Sequence, residues 1–231
     1  NLQELREQVC AANKSIVSAG LVTLTWGNAG AVDREQGLVA IKPSGVPYEE
    51  LQPEHIVIID MASGKVVDGD LRPSSDTPTY VTLFREFPDL GGIVHTHSTY
   101  ATIWAQAGRP IPCLGTTHAD HFRGQIPVAR QLGEEEVEKE YESASGRSIV
   151  ETFRRESLNP LHTPAALLPG HAPFAWGATL QKAFENAVAL ETVAKMALHT
   201  LSLNPEASLP NFISEKHFLR KHGPDAYYGQ K

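Results

Sequence analysis

Hydrophobic residues recur every three or four positions in several stretches of the chain, a spacing typical of amphipathic helices. The stretches with this spacing are 2–19, 79–87, 100–107, 133–155 and 179–203. Gly20 is a suitable stop for the first of these helices. The fourth stretch is strongly charged, and we predict that its helix is interrupted near Ser145 and Gly146.

Short apolar runs between turn residues predict the strands. These runs are 21–25, 38–42, 56–60, 66–67, 93–97, 111–120 (a strand followed by a loop) and 165–168. Residues 31–37 are predicted to connect two strands as a hairpin. Helices mixed with hairpin-linked strands favour an α/β fold in which one sheet, largely antiparallel or mixed, carries helices on both faces.

Composition excludes some classes of protein. The 231 residues suffice for one large domain or two small ones, and no linker divides them. A net charge of −7, with both signs scattered along the chain, argues against a nucleic-acid partner. No apolar run approaches the roughly 20 residues of a membrane span, and the first residues lack a secretory pattern. Because Cys10 and Cys113 have no metal or redox spacing, we expect free thiols and a cytoplasmic protein.

The first candidate for chemistry is a pair of histidines, His95 and His97, at the end of an apolar run. If residues 93–97 form a strand, the two imidazoles lie on the same face, because side chains alternate along a strand. Such a pair can form half of a metal site. The alternative interpretation is two hydrogen-bonded histidines of the core, and the local run does not decide between them.

Two more residues are candidates to complete a metal site. His171 follows another apolar run and could supply a third nitrogen, and Asp76 could supply an oxygen. Three imidazoles with at most one carboxylate suit Zn²⁺ better than Mg²⁺ or Ca²⁺. Asp76 also directly precedes Thr77 and Pro78, so by itself it is better interpreted as a helix N-cap.

Three short loops of small polar residues are candidates for binding a phosphate. Loops of this kind offer backbone N–H groups and hydroxyls to a dianion, and a lysine can add a positive charge. The residues concerned are Gly27, Asn28, Lys42, Ser44, Gly45, Ser74 and Ser75. The alternative is ordinary turn chemistry, since Pro-Ser-Gly is a common turn sequence. No Walker or dinucleotide-binding motif is present, so a nucleotide is not expected.

Candidates for proton transfer lie after residue 115. Asp120 ends a polar run, and the tail mixes aromatic with titratable side chains, among them His217, Arg220, Tyr227 and Tyr228. Such a tail could be a frayed terminus. Its aromatic content suits docking onto another surface instead, which in an oligomer could be a neighbouring subunit.

Several motifs, taken in order, match one family. They are Leu21–Asn28 (LVTLTWGN), Ile41–Gly45 (IKPSG), Pro73–Pro78 (PSSDTP), Gly91–His97 (GGIVHTH), Gly115–Asp120 (GTTHAD), His171–Gly177 (HAPFAWG) and Tyr227–Gln230 (YYGQ). The chain resembles the bacterial L-ribulose-5-phosphate 4-epimerases of the class II aldolase superfamily. The resemblance covers essentially the whole chain, so it implies a single domain over residues 1–231. It also implies an α/β/α fold around a mainly antiparallel sheet.

The resemblance also implies roles for individual residues. It implies one Zn²⁺ per subunit, bound by Asp76, His95, His97 and His171. It assigns the loop residues Gly27, Asn28, Lys42, Ser44, Gly45, Ser74 and Ser75 to the substrate phosphate. Asp120 and Tyr228 would be the acid–base residues, with Thr116, His217 and Arg220 nearby. It further implies a homotetramer in which the tail, about residues 209–231, reaches a neighbour's active site.

The implied reaction inverts C4 of a pentulose phosphate. No carbonyl adjoins C4, so the implied route is retro-aldol cleavage between C3 and C4, rotation of the aldehyde and re-addition, with Zn²⁺ as Lewis acid. Proton exchange on both faces of the aldehyde calls for two acid–base groups. Two alternatives stay open: a class II aldolase similar to L-fuculose-1-phosphate aldolase, in which a Glu stands in place of Asp76, and a non-catalytic zinc-binding protein of the same fold.

Overall fold

The structure is a computed structural model, and it describes residues 1–229. Seven strands form one sheet in the order β4-β3-β2-β1-β5-β7-β6, and every neighbouring pair is antiparallel. The strands are β1 (Gly27–Asp33), β2 (Leu38–Ile41), β3 (Val57–Asp60), β4 (Val66–Asp68), β5 (Gly92–Thr96), β6 (Ala165–Leu167) and β7 (Pro173–Gly177).

Helices cover both faces of this sheet. They are α1 (Leu2–Ser18), α2 (Thr77–Glu86), α3 (Thr99–Gln106), α4 (Thr116–Ala119), α5 (Glu134–Arg155), α6 (Leu180–Leu203) and α7 (Asn211–His222), with a 3-10 turn at Pro53–His55. No helix of residues 1–229 combines the length and the apolar character needed to cross a membrane.

The core consists of two clusters, one on each face of the sheet. Alternation along β2 shows the division: Ala40 packs in the cluster that includes α1, α3 and α6, while Val39 and Ile41 pack in the cluster that includes α2 and α5. The result is an α/β/α sandwich with an antiparallel sheet. The predicted fold class is confirmed.

The prediction of a strand over residues 21–25 is wrong, because residues 21–22 have no regular structure and residues 23–25 form a bend and a turn. Leu24 has a φ of +53° and its side chain is 72% exposed, so the apolar run does not form a buried strand. The strand begins at Gly27 instead and continues through part of the predicted hairpin connection. Its small residues have low strand propensity, but β1 pairs with neighbours on both sides. Tertiary context here overrides propensity.

Three other predictions also need correction. Residues 111–120 contain a single bridge, from Ile111 to Ile126, and then the short helix α4. β7 was not predicted, although it lies between β5 and β6. α5 is interrupted at Glu140 and not at Gly146. At Gly146 a Cβ atom would lie 2.8 Å from Thr82 Cβ, so this glycine permits close packing of α5 on α2.

Candidate metal and phosphate site

Three imidazoles meet where β5 and the β6–β7 hairpin end side by side. His95 is the penultimate residue of β5, and His97 follows one residue after the strand ends at Thr96. His171 lies in the loop that leads into β7, the antiparallel neighbour of β5. The ring centroids are 5.0–5.1 Å apart, and one nitrogen of each ring lies within 4.8 Å of the others. This cluster is therefore able to hold a metal ion.

The protonation of these rings suits a divalent metal. Burial, followed by the neighbouring imidazoles, lowers the pKa of His171 to about 4, and the same causes lower the pKa of His97. His95 Nδ1 lies 2.9 Å from the carbonyl oxygen of Pro173, so Nδ1 is the donor and Nε2 is the nitrogen available to a metal. Neutral imidazoles with an oriented nitrogen are what Zn²⁺ and similar ions require. The donor set fits a borderline divalent ion.

Asp76 lies beside this cluster at the start of α2. It occupies the N-cap position, but its side chain makes no capping hydrogen bond. Instead Oδ2 accepts a hydrogen bond from Asn28 Nδ2 at 2.7 Å and lies 3.9 Å from His95 Nε2. Burial opposes ionisation, but His95 and the bond from Asn28 outweigh it, so the pKa of Asp76 is lowered. The interpretation as a capping side chain is wrong, and the carboxylate faces the histidines.

The three polar loops are joined to each other and to the metal cluster. Ser74 N–H donates to the Lys42 carbonyl at 3.0 Å, and Ser44 N–H donates to the Arg72 carbonyl at 2.9 Å. Asn28 Nδ2 donates to Ser74 Oγ at 3.1 Å as well as to Asp76. Every residue predicted to bind metal or phosphate lines one cavity of about 400 Å³. The sequence-based set therefore converges in space.

Lys42 gives this cavity a positive charge. Its side chain is buried, and its Nζ donates to the carbonyl oxygens of Val46 at 2.6 Å and Pro43 at 3.2 Å. Within residues 1–229 no carboxylate forms an ion pair with Lys42. Burial lowers the pKa of Lys42 to about 8. A buried ammonium without an acidic partner favours binding of an anion from solution.

The predicted acid–base residues do not line this cavity. Asp120, directly after α4, is held by α7: Arg220 donates to both carboxylate oxygens, at 3.1 and 2.9 Å, and His217 Nδ1 lies 3.1 Å away. Thr116 begins α4. Tyr228 is 60% exposed, and its N–H donates to the Arg220 carbonyl. We call α4, Asp120, α7 and residues 223–229 the tail unit.

The pKa of Asp120 is lowered. Burial opposes ionisation, and the hydrogen bonds from Arg220 and His217 outweigh it. Arg220 Cζ lies 4.8 Å and Lys221 Nζ lies 4.3 Å from the centre of the Tyr228 ring, so both cations contact this ring. The tail helix thus packs on its own chain. Gln230, the last residue of the YYGQ motif, lies outside the described residues, and the role of Tyr228 in a neighbour's site stays a prediction.

Besides the predicted residues, two residues of α5 line the cavity. Tyr141 and Glu142 line the cavity from α5, immediately after the non-helical residue Glu140. The Tyr141 hydroxyl lies 3.4 Å from His171 Nδ1. The break in α5 directs these side chains away from a regular helical path. Both belong to a charged stretch without a motif, so the sequence carried no signal for them. Trp26 also lines the cavity.

Comparisons with known proteins agree with this geometry. The family model described as class II aldolase and adducin N-terminal domain matches residues 7–198. Among solved structures, an L-fuculose 1-phosphate aldolase is 26% identical with a TM-score of 0.79, covering 94% of this chain and 95% of that one. The aldolase/epimerase/decarboxylase candidate YgbL from Escherichia coli is 22% identical with a TM-score of 0.72, covering 94% and 99%.

A third solved structure shares the same fold. The L-fuculose-1-phosphate aldolase from Thermus thermophilus is 22% identical with a TM-score of 0.67, covering 87% of this chain and 97% of that one. Likeness at this level shows a shared fold. The match of the family model spans most of the chain, including the three histidines and the polar loops. The chain therefore belongs to the class II aldolase and adducin N-terminal domain family.

Proposed function

We propose that this protein is an L-ribulose-5-phosphate 4-epimerase, which interconverts L-ribulose 5-phosphate and D-xylulose 5-phosphate by retro-aldol cleavage and re-addition. The observation that carries the proposal is the joint cavity, in which an imidazole cluster and a buried lysine with polar loops lie together. A sugar phosphate needs both: a phosphate anchor and a divalent metal near its carbonyl end. Class II aldolases are metal-dependent.

In this proposal the chain's own residues divide the work between two ends of the substrate. Lys42, Ser44 and Ser74 bind and orient the phosphate. His95, His97 and His171, with Asp76, would hold a Zn²⁺ ion. When bound, that ion supplies Lewis-acid stabilisation of the negative charge that develops on the carbonyl side of the cleaved bond. The anchored phosphate keeps the released aldehyde in the cavity, so that it can rotate and present its other face.

The character of Asp76 supports the epimerase over the aldolase. Its carboxylate is held by Asn28 and Ser74, and its pKa is lowered, so it stays ionised near neutral pH. An ionised carboxylate whose Oδ2 lies 3.9 Å from His95 Nε2 suits a metal ligand. We assign the proton transfers to Asp120 and Tyr228, the two positions that the family resemblance gives.

The proposal requires an assembly. Asp120 and Tyr228 do not line the cavity of their own chain, so we infer that they act on the cavity of a neighbouring subunit. Because Asp120, Arg220 and Tyr228 are connected within one chain, they would arrive together as a single unit. A homotetramer with closed symmetry gives each cavity one such unit.

The experiment uses Zn²⁺-loaded protein and L-ribulose 5-phosphate followed by NMR. We expect D-xylulose 5-phosphate to accumulate to an equilibrium mixture without free dihydroxyacetone or glycolaldehyde phosphate above trace levels. The His97→Asn protein is the control for contaminating activities. Net release of the two fragments would contradict the epimerase.

The second candidate is a sugar-phosphate aldolase, favoured by the 26% identity to an L-fuculose 1-phosphate aldolase. Incubation with L-fuculose 1-phosphate would then release dihydroxyacetone phosphate and lactaldehyde. A non-catalytic zinc-binding protein, the third alternative, predicts that neither substrate turns over, while metal removal lowers the melting temperature.

A further inference from the structure

Tyr48 contacts two of the polar loops that line the cavity. Its side chain is buried, with 5% exposure, and its hydroxyl donates to the Gly27 carbonyl at 2.5 Å. The Lys42 Nζ lies 4.9 Å from the centre of the same ring. Tyr48 does not line the cavity itself. One phenol side chain therefore contacts both the first loop, at Gly27, and the second loop, at Lys42.

The carbonyl that Tyr48 holds belongs to a constrained residue. Gly27 has a φ of +151°, and a Cβ atom there would lie 2.8 Å from Val22 Cγ1 and 3.0 Å from the His95 carbonyl oxygen. The chain can therefore enter β1 at this position only as glycine. Glycine has no side chain to fix its own conformation. A hydrogen bond from a buried neighbour supplies that restraint.

The Tyr48 ring also restrains the lysine. Lys42 is buried, and its ammonium lies against the ring face, an arrangement in which the ring's negative face attracts a cation. Burial raises the pKa of Tyr48 to about 12, so the hydroxyl keeps its proton and remains a donor. The second polar loop is hydrogen-bonded to the third, because the Lys42 carbonyl accepts a hydrogen bond from Ser74 N–H. A shift at Tyr48 would thus reach all three loops.

We infer that Tyr48 is a positioning residue for phosphate binding, which fixes the Gly27 loop through its hydroxyl and the Lys42 ammonium through its ring. The inference rests on the proposed function for the phosphate site. It assigns Tyr48 no contact with the reacting atoms. The consequence is specific: loss of the hydroxyl weakens binding of the phosphate end of a ligand and leaves the imidazole cluster unchanged.

The test measures binding of inorganic phosphate by isothermal titration calorimetry to Zn²⁺-loaded protein. We expect Tyr48→Phe to weaken phosphate about fivefold, because a typical hydrogen bond contributes about 1 kcal/mol. Tyr48→Leu, which also removes the ring from Lys42, is expected to weaken it more than about tenfold. For L-ribulose 5-phosphate, Tyr48→Phe should raise KM about fivefold with kcat within about twofold of wild type.

Tyr100→Phe is the matched control. The Tyr100 ring also contacts a lysine, Lys195, whose Nζ lies 5.3 Å from the ring centre, but Tyr100 does not line the cavity. It should bind phosphate as wild type does. Zinc stoichiometry, measured for each variant, restricts the comparison to folded protein. Equal phosphate affinity in Tyr48→Phe and wild type would overturn the role of Tyr48. Absence of phosphate binding by the wild type would overturn the proposed phosphate site, and the role of Tyr48 with it.

Discussion

The imidazole cluster and Asp120 are both surrounded by titratable side chains, but the two regions differ in how they are built. The cavity collects residues from the ends of β1, β2 and β5, from the start of α2 and from the loop before β7. The tail unit places Asp120 against one surface helix, α7, through charged hydrogen bonds. The first region is part of the sandwich, and the second is attached to it.

This difference is the basis of the proposal that one chain carries two incomplete sites. Backbone hydrogen bonds between the strands fix the cavity residues, so the candidate metal ligands and the candidate phosphate-binding residues lie together within one chain. Asp120 and Tyr228 depend on contacts made by the last described residues and lie outside that cavity. A complete site would combine the cavity of one subunit with the tail unit of another. The predictions below test that division.

The largest effect is expected from His97→Asn, which removes one of the three clustered imidazoles. We expect zinc affinity to fall by more than about 100-fold, since even outer-sphere changes cost about 10–100-fold. Epimerase turnover should fall to background. The measurement is zinc competition against a chelator. His199→Asn, which changes a histidine outside the cavity, is the control and should bind zinc normally.

Tyr228→Phe should act on turnover alone. We propose Tyr228 as a proton-transfer group, and loss of such a group costs about 10²–10⁴-fold in kcat. Zinc and phosphate binding should remain normal, because Tyr228 does not line the cavity. A Tyr228→Phe protein with near-normal kcat would remove this residue from the reaction.

Mixed oligomers test whether the two regions meet across an interface. In a 1:1 mixture of His97→Asn and Tyr228→Phe subunits, half of the cavities and half of the tail units are intact. With random exchange, about one quarter of the sites therefore combine an intact cavity with an intact tail unit. We therefore expect about 25% of wild-type activity. Asp120→Asn mixed with Tyr228→Phe should show no recovery, because both residues belong to one tail unit. No recovery in the first mixture, after verified exchange, would indicate sites within one chain.

The sequence predicted the cavity residues better than the elements that carry them. His95 and His97 lie together as the sequence predicts, because the side-chain alternation of a short apolar run determines their face. The strand before Asn28 was misplaced, because β1 consists of small residues whose strand conformation depends on pairing with β2 and β5. Asp76 looked like a helix cap. Its orientation toward His95 is a tertiary contact that no local pattern encodes.

Tyr48, Tyr141 and Glu142 could not be identified from the sequence for a related reason. Tyr48 lies in a turn, and its function depends on contacts with residues 21 and 6 positions away in the chain. Tyr141 and Glu142 reach the cavity because α5 is broken at Glu140, whereas the sequence predicts an interruption near Ser145 and Gly146. Family motifs located the predicted ligands, and long-range packing placed the residues around them.

Lys42 predicts a moderate pH effect that belongs to the cavity alone. Burial lowers its pKa to about 8 in the absence of ligand, so the ammonium is present below that pH and lost above it. A bound dianion raises the pKa of Lys42 in turn. We expect binding of a simple phosphomonoester, already dianionic above its second pKa of about 6, to weaken up to about tenfold per pH unit above 8. Calorimetry between pH 7 and 10 measures this.

Lys42→Met is the control for that profile. It removes the titrating group, so phosphomonoester affinity should be weaker and nearly constant from pH 7 to 9. Zinc affinity should not change, since Lys42 does not contact the imidazoles. An unchanged decline above pH 8 in Lys42→Met would assign the titration to another group.

The smallest effect is expected from two arginines whose ion pairs involve α7: Arg220, on α7 itself, and Arg123, which pairs with Glu215 of α7. Arg220 holds Asp120, whereas Arg123 pairs with Glu215 at 2.8 Å in an exposed ion pair, 46% and 42% exposed. Such exposed pairs contribute about 0–1 kcal/mol to the free energy of unfolding. Arg123→Gln should therefore keep kcat within about twofold, while Arg220→Gln, which frees Asp120 from a two-point contact, should lower kcat about tenfold.

If the tail unit acts only as a structural attachment, both variants will shift the melting temperature slightly and neither will change kcat. The two kcat values, measured on protein of equal zinc content, therefore distinguish a positioned acid–base group from a surface salt bridge.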